Sequence, residues 1–168
     1  YCGFLDHVVS RLPVRDVVVW NEVNSDRYWP ASAGAPAYEQ LLATCWDTLH
    51  AHMGDVNLIS STAAHHDPAG FVAALGVAYR QSARTRPIAD TFGHNPYPDT
   101  SAEPPSATHA PGTVGQGDLQ VLLDAYRVGF QGTAQPPPGS GTVTIWYLED
   151  GFQTAAPAGK QPLYHGSE

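Results

Sequence analysis

Apolar positions along the chain repeat with two periods. Phe4, Leu5, Val8, Val9 and Leu12 recur at helical spacing, and Pro13 closes that segment. Val17, Val18, Val19 and Trp20 form a continuous, mostly β-branched run, the pattern of a strand covered on both faces. A loop follows, and Pro36 opens a helix to about residue 52 with Leu41, Leu42, Cys45, Trp46 and Leu49 as its stripe. Gly54 punctuates the end of that helix, and "VNLISST" predicts the next strand. Asp67 as cap and Pro68 at the first position start a helix carrying Phe71, Val72, Leu75 and Val77. A weaker strand is predicted over residues 88–92, then a proline-rich loop over 96–115. Asp118 caps a helix carrying Leu119, Leu122, Leu123, Tyr126 and Phe130, and the last strand is predicted over 142–149. Residues from Gln153 onward show little periodicity.

Strands alternating with helices predict an α/β fold with a parallel sheet. Neither an internal sequence repeat nor a domain boundary interrupts residues 1–168, so one domain is expected. In parallel α/β folds function gathers at the C-terminal ends of strands. Those ends are polar here: Asn21 and Glu22 after the first, Ser60 to Thr62 and His65 to Asp67 after the second, His94, Asn95 and Tyr97 after the third, Glu149 and Asp150 after the fourth. The connection after the third strand is long, as binding loops often are. "QGTAQPPPGSG" runs from a helix into a strand, falls on the opposite rim, and carries no expected catalytic weight.

Composition narrows the partners. Charged residues make up only 14% of the chain, and 8 Lys and Arg against 16 Asp and Glu give a net charge of −8. No basic run tracks a phosphate backbone, which argues against nucleic acid and against an anionic membrane surface. A hydrophobic content of 42% excludes a disordered chain. No apolar run reaches membrane-spanning length, and the first residues have no signal-peptide layout. Cys2 and Cys45 both fall in predicted helices. Two separate buried thiols are the plainer reading, and one disulfide is the other.

Two carboxylates converging in one cleft suit glycoside hydrolysis: one protonates the leaving oxygen, and the other attacks the anomeric carbon or activates water. Asn21 is placed to bind a sugar hydroxyl, and His94 to hold the second carboxylate in its charged form. Trp20, Tyr28, Trp29, Tyr97, Trp146 and Tyr147 offer flat faces for sugar rings. Adjacent His65 and His66 are read as a solvated loop, and His50 and His52 as helix-end cations rather than metal ligands. Asp99, Glu103 and His109 lie in the long loop within reach of a substrate, with nothing in the pattern to specify them.

At these residues a family resemblance enters. "VVVWNEVN" resembles the Asn-Glu acid/base motif that ends the fourth strand of clan A glycoside hydrolases, the retaining (β/α)8-barrel enzymes that include the cellulase-like families. "TIWYLEDGFQT" resembles their seventh strand, which ends on the nucleophile, and "FGHNPYP" resembles the sixth-strand exit. Glu149 follows Glu22 by 127 residues (149 − 22), matching the family's order and spacing.

The resemblance implies a TIM-barrel fold covering roughly strands four to seven, with Glu22 as acid/base and Glu149 as nucleophile. Asn21 would bind the 2-hydroxyl, His94 would support Glu149, and Tyr97, Trp146 and Trp29 would contact substrate. It implies no cofactor and no metal, and an oligosaccharide, polysaccharide or glycoside as substrate. A whole barrel takes about 250 residues, so the expectation is a fragment of a longer gene product, with an extracellular setting modestly favoured. The competing expectations are a carbohydrate-binding barrel that has lost turnover, and an unrelated α/β protein whose strand-end acids are coincidental.

Overall fold

A computed structural model describes residues 1–152. Among them run α1 (Cys2–Val9), β1 (Asp16–Val18), α2 (Gly34–His50), β2 (Asn57–Ala63), α3 (Pro68–Gln81), β3 (Thr91–Asn95), α4 (Leu119–Phe130) and β4 (Thr144–Tyr147), with a 3-10 turn at Gln116–Asp118. All four strands are parallel, in the order β1-β2-β3-β4. The α/β class and the parallel sheet are as the sequence pattern predicts.

The sequential order has a consequence. Right-handed crossovers that always step the same way carry every connecting helix to one face of the sheet. An order that reverses would put helices on both faces. Val17, Val19, Leu58 and Phe92 accordingly share the buried core with Tyr38, Leu42, Leu75, Tyr126 and Phe130 of the helices. The other face is opener at its two edges, where Val18 is 39% and Trp146 41% exposed. α3 and α4 meet closely at glycines: a Cβ on Gly76 would lie 2.5 Å from the Gly129 Cα. No described helix is long and apolar enough to cross a membrane.

Two expectations are corrected. The third strand, predicted over 88–92, lies at Thr91–Asn95. The N–H groups of Ile88 and Ala89 donate to the side-chain oxygen of buried Gln135 at 2.7 and 3.0 Å, so these apolar residues are satisfied off the ladder. Pairing begins with Ile59 opposite Thr91. His94 and Asn95 therefore belong to the strand rather than to its exit. The second correction concerns the cysteines. Cys2 and Cys45 form a disulfide with a Cα–Cα distance of 4.8 Å, tying α1 to α2. Each cysteine reads as buried on its own helix, and only the packing of the two helices brings them together.

Smaller differences have local causes. α1 stops at Val9, with Ser10 as C-cap, four residues before Pro13. β4 spans only Thr144–Tyr147, so Glu149 stands two residues beyond it. Asp67 caps α3 as predicted, accepting from the Gly70 N–H at 3.0 Å. Asp118 stands at the N-cap of α4, but its carboxylate is turned to the Gly115 N–H and to His109.

Candidate functional site

The backbone after β1 makes an unusual turn. The ladder continues through the Val19 N–H to Ile59 O at 2.8 Å and resumes with the Val23 N–H to Ser61 O at 3.4 Å. Between them Trp20 and Glu22 have φ of 68° and 43°. Left-handed conformations cost non-glycine residues about 1–3 kcal/mol each, and such strain gathers at functional sites. Neighbours hold the turn in place. Tyr38 donates to Val19 O at 2.8 Å and accepts from the Ser61 N–H at 3.1 Å, and the Glu22 N–H donates to Ser61 Oγ at 3.2 Å. Asn24 clamps the end of β2, accepting from the Ala63 N–H at 2.7 Å and donating to His65 O at 2.6 Å.

This turn buries Glu22 to 6% exposure. Its carboxylate accepts a hydrogen bond from Asn95 Nδ2 at 2.9 Å. Asn95 is fully buried, and its own Oδ1 has no partner among the described residues. An orphaned buried acceptor costs about 1–3 kcal/mol, so its presence calls for a reason.

Glu149 has different surroundings. It is exposed and accepts from the Tyr97 hydroxyl at 3.3 Å. Burial raises the Tyr97 pKa; so do the charge and hydrogen bond of Glu149, and then the charges of Glu22 and Asp150. Tyr97 therefore lies within the field of both glutamates. The loop from Tyr97 to Gln116 is held at both its ends by β4 and the residues just after it. Tyr97 bonds Glu149 at one end, and at the other the Gln116 side chain bonds Asp150 and the Tyr147 hydroxyl donates to Gln116 O at 3.4 Å.

His94 does not support Glu149. Its Nε2 donates to Val114 O at 2.8 Å, and its Nδ1 pairs with Thr62 Oγ1 at 2.9 Å. Burial lowers its pKa against those bonds, so the ring is neutral at pH 7. Side chains alternate along a strand. His94 thus shares a face with Phe92, which packs on Tyr126 and Phe130, while Asn95 takes the opposite face with Glu22.

Of the remaining predicted residues, Asn21 is half-buried between Trp20 and Glu22, and Trp146 is exposed on the face away from the helices. Trp29 packs edge-on against Trp20 and Tyr38 at 5.7 and 5.6 Å and donates to Gly34 O, a position against the core. An apolar groove of about 420 Å³ between α4 and β4, lined by Leu119, Leu123, Val143 and Ile145, includes neither glutamate.

The long loop holds a cluster that the sequence pattern does not specify. His109 faces Asp118 through Nδ1 at 2.7 Å and Glu103 through Nε2 at 3.0 Å. The Asp118 hydrogen bond, followed by Glu103, raises the His109 pKa against burial. Asp99, Glu103 and His109 place one ligand atom each within 4.8 Å of one another, the described residues best able to hold a cation.

No family model matches the chain, and no curated protein or solved structure matches it. The functional reading therefore stands on the residues and their geometry.

Proposed function

We propose that this chain is the part of a retaining (β/α)8-barrel glycoside hydrolase that carries both catalytic carboxylates. Four parallel strands in sequential order with helices along one face are what half of such a barrel contains. Glu149 attacks the anomeric carbon while Glu22 gives its proton to the leaving oxygen. Glu22 then takes a proton from the water that releases the sugar. The disulfide suits an oxidising compartment, as an extracellular enzyme would have.

The observation that carries this reading is Tyr97, which bonds Glu149 and feels the charge of Glu22. β1 and β4 are the outer strands, three spacings of about 4.8 Å apart in a flat sheet. A sheet curled toward closure brings their exits nearer, and retention calls for carboxyl groups about 5–5.5 Å apart.

The test is covalent trapping. Aryl 2-deoxy-2-fluoro-glycosides with a good leaving group should label Glu149, read by mass spectrometry of the peptide. Glu149→Gln should lower turnover of aryl glycosides at least about 10³-fold. A label on another residue, or full activity in Glu149→Gln, would overturn the assignment.

A further inference from the structure

Asn95 offers a donor and an acceptor on one short side chain, and only the donor is used. Its Nδ2 bonds Glu22 at 2.9 Å, while its Oδ1 is buried without a partner among the described residues. An uncharged amide carries the two functions on two separate atoms, whereas a hydroxyl combines them on one oxygen. Aspartate would set a second carboxylate against Glu22, and leucine would leave Glu22 with no bond from this side. A half-turn about the Asn95 Cβ–Cγ bond exchanges oxygen for nitrogen. The side chain then accepts from a protonated Glu22 as readily as it donates to an ionised one. One amide atom is left unpartnered in either orientation, so neither protonation state is favoured by losing or gaining an orphan.

From this we infer that Asn95 is a positioning residue that holds Glu22 in both of its protonation states, turning over as the proton leaves and returns. The inference rests on the hydrolase reading and deepens it. In the first step the Glu149 carboxylate forms a bond to the anomeric carbon, the bond to the leaving oxygen breaks, and the Glu22 proton moves to that oxygen. Asn95 then donates to the carboxylate that remains. In the second step water gives its proton to Glu22, its oxygen displaces Glu149, and Asn95 turns back to accept. In this role the residue acts through Glu22, by fixing where the Glu22 oxygen points.

The test exploits leaving groups. Phenyl glycosides need the acid, and 2,4-dinitrophenyl glycosides leave without it. Both would be prepared for glucose, galactose, mannose and xylose in each anomeric form, and kcat/KM measured on wild type, Asn95→Asp and Asn95→Ala. The dinitrophenyl-to-phenyl ratio should rise about 100-fold in both variants, the scale of general acid catalysis. Because the ratio cancels the folded fraction, a poorly folding variant cannot mimic the effect. An unchanged ratio, with both substrates slowed alike, would overturn the role of Asn95.

A second measurement separates failure of this role from failure of the hydrolase reading. In wild type and Glu22→Gln the Asn95 side-chain amide signals would be followed by ¹⁵N NMR. A shift on Glu22→Gln supports the contact, and unmoved signals overturn it. If wild type hydrolyses none of the glycosides, the hydrolase reading falls and the catalytic role of Asn95 falls with it, whether or not the contact is seen.

Discussion

At the N-terminal ends of the strands, Arg84 grips Asp47 through two bonds of 2.6 and 2.9 Å, and Arg86 adds a third at 2.9 Å. Asp90 takes the Trp46 indole N–H at 3.1 Å and the Leu58 N–H at 2.8 Å, and Gln135 satisfies both Ile88 and Ala89. Each acid there has a cation or donor beside it and serves to join elements. At the C-terminal ends the same residue types are arranged otherwise. Glu22 is buried on a left-handed backbone with an amide for company, Glu149 stands exposed beside a tyrosine, and Asn95 keeps an unused oxygen. One rim is satisfied, and the other leaves polar groups for something else to use. That contrast is what a framework with a site at one end should show.

The contrast can be broken by removing the framework first. Replacing Cys2 and Cys45 together by alanine frees a loop spanning 43 residues, and chain entropy puts the loss at about 4 kcal/mol. Denaturant melts should show that loss, while wild-type and variant protein near the midpoint of neither should trap a fluoro-sugar alike. Unchanged stability would mean that packing of α1 on α2 suffices. Gln135→Leu comes next. It leaves two buried N–H groups without an acceptor and should cost about 3 kcal/mol. Glu22→Gln, on the opposite rim, should change stability by about 1 kcal/mol or less, with a gain expected, since sites trade stability for function. Equal destabilisation by Gln135→Leu and Glu22→Gln would erase the distinction between the rims.

The framework was largely legible because its signals are local. Hydrophobic period, Asp67 with Pro68, and the short β-branched runs each mark an element without help from elsewhere. The positions of Glu22 and Glu149 past the first and last strands were legible as well, since each follows such a run. What failed was anything set by a distant residue. Gln135 holds Ile88 off the ladder, so β3 starts three residues later than predicted and extends through His94 and Asn95, whose alternating faces put His94 beside Phe92 and Asn95 beside Glu22. Carrying the alternation on to residue 95 would have named Asn95, but the true bounds of the strand depend on a side chain more than forty positions away. The disulfide and the His109 cluster are hidden for the same reason: their partners meet only through packing.

The smallest expected effect concerns that cluster. His109 lies between Asp118 and Glu103, with its pKa raised first by the Asp118 hydrogen bond. A folded pKa above the unfolded value, about 6.5, gives stability that is complete below that value and lost as pH rises through the folded one. Asp118 bounds the acid side. Burial opposes its charge, but His109 and the backbone N–H groups outweigh burial and hold it below its usual range. Its contribution is present above about pH 4 and lost as pH falls through the depressed value. The cluster is thus strongest between these limits and weakens toward alkaline pH. The loop it pins carries Tyr97 at one end and Gln116 at the other, so the loss should be local rather than global. Hydrogen exchange in residues 97–116 should quicken beyond the intrinsic rise as pH climbs above about 6.5 and through the raised His109 value, and His109→Gln should remove that excess. An excess that survives His109→Gln would assign the loop's hold to its contacts with β4 instead, and would make the two rims alike in needing no titrating group.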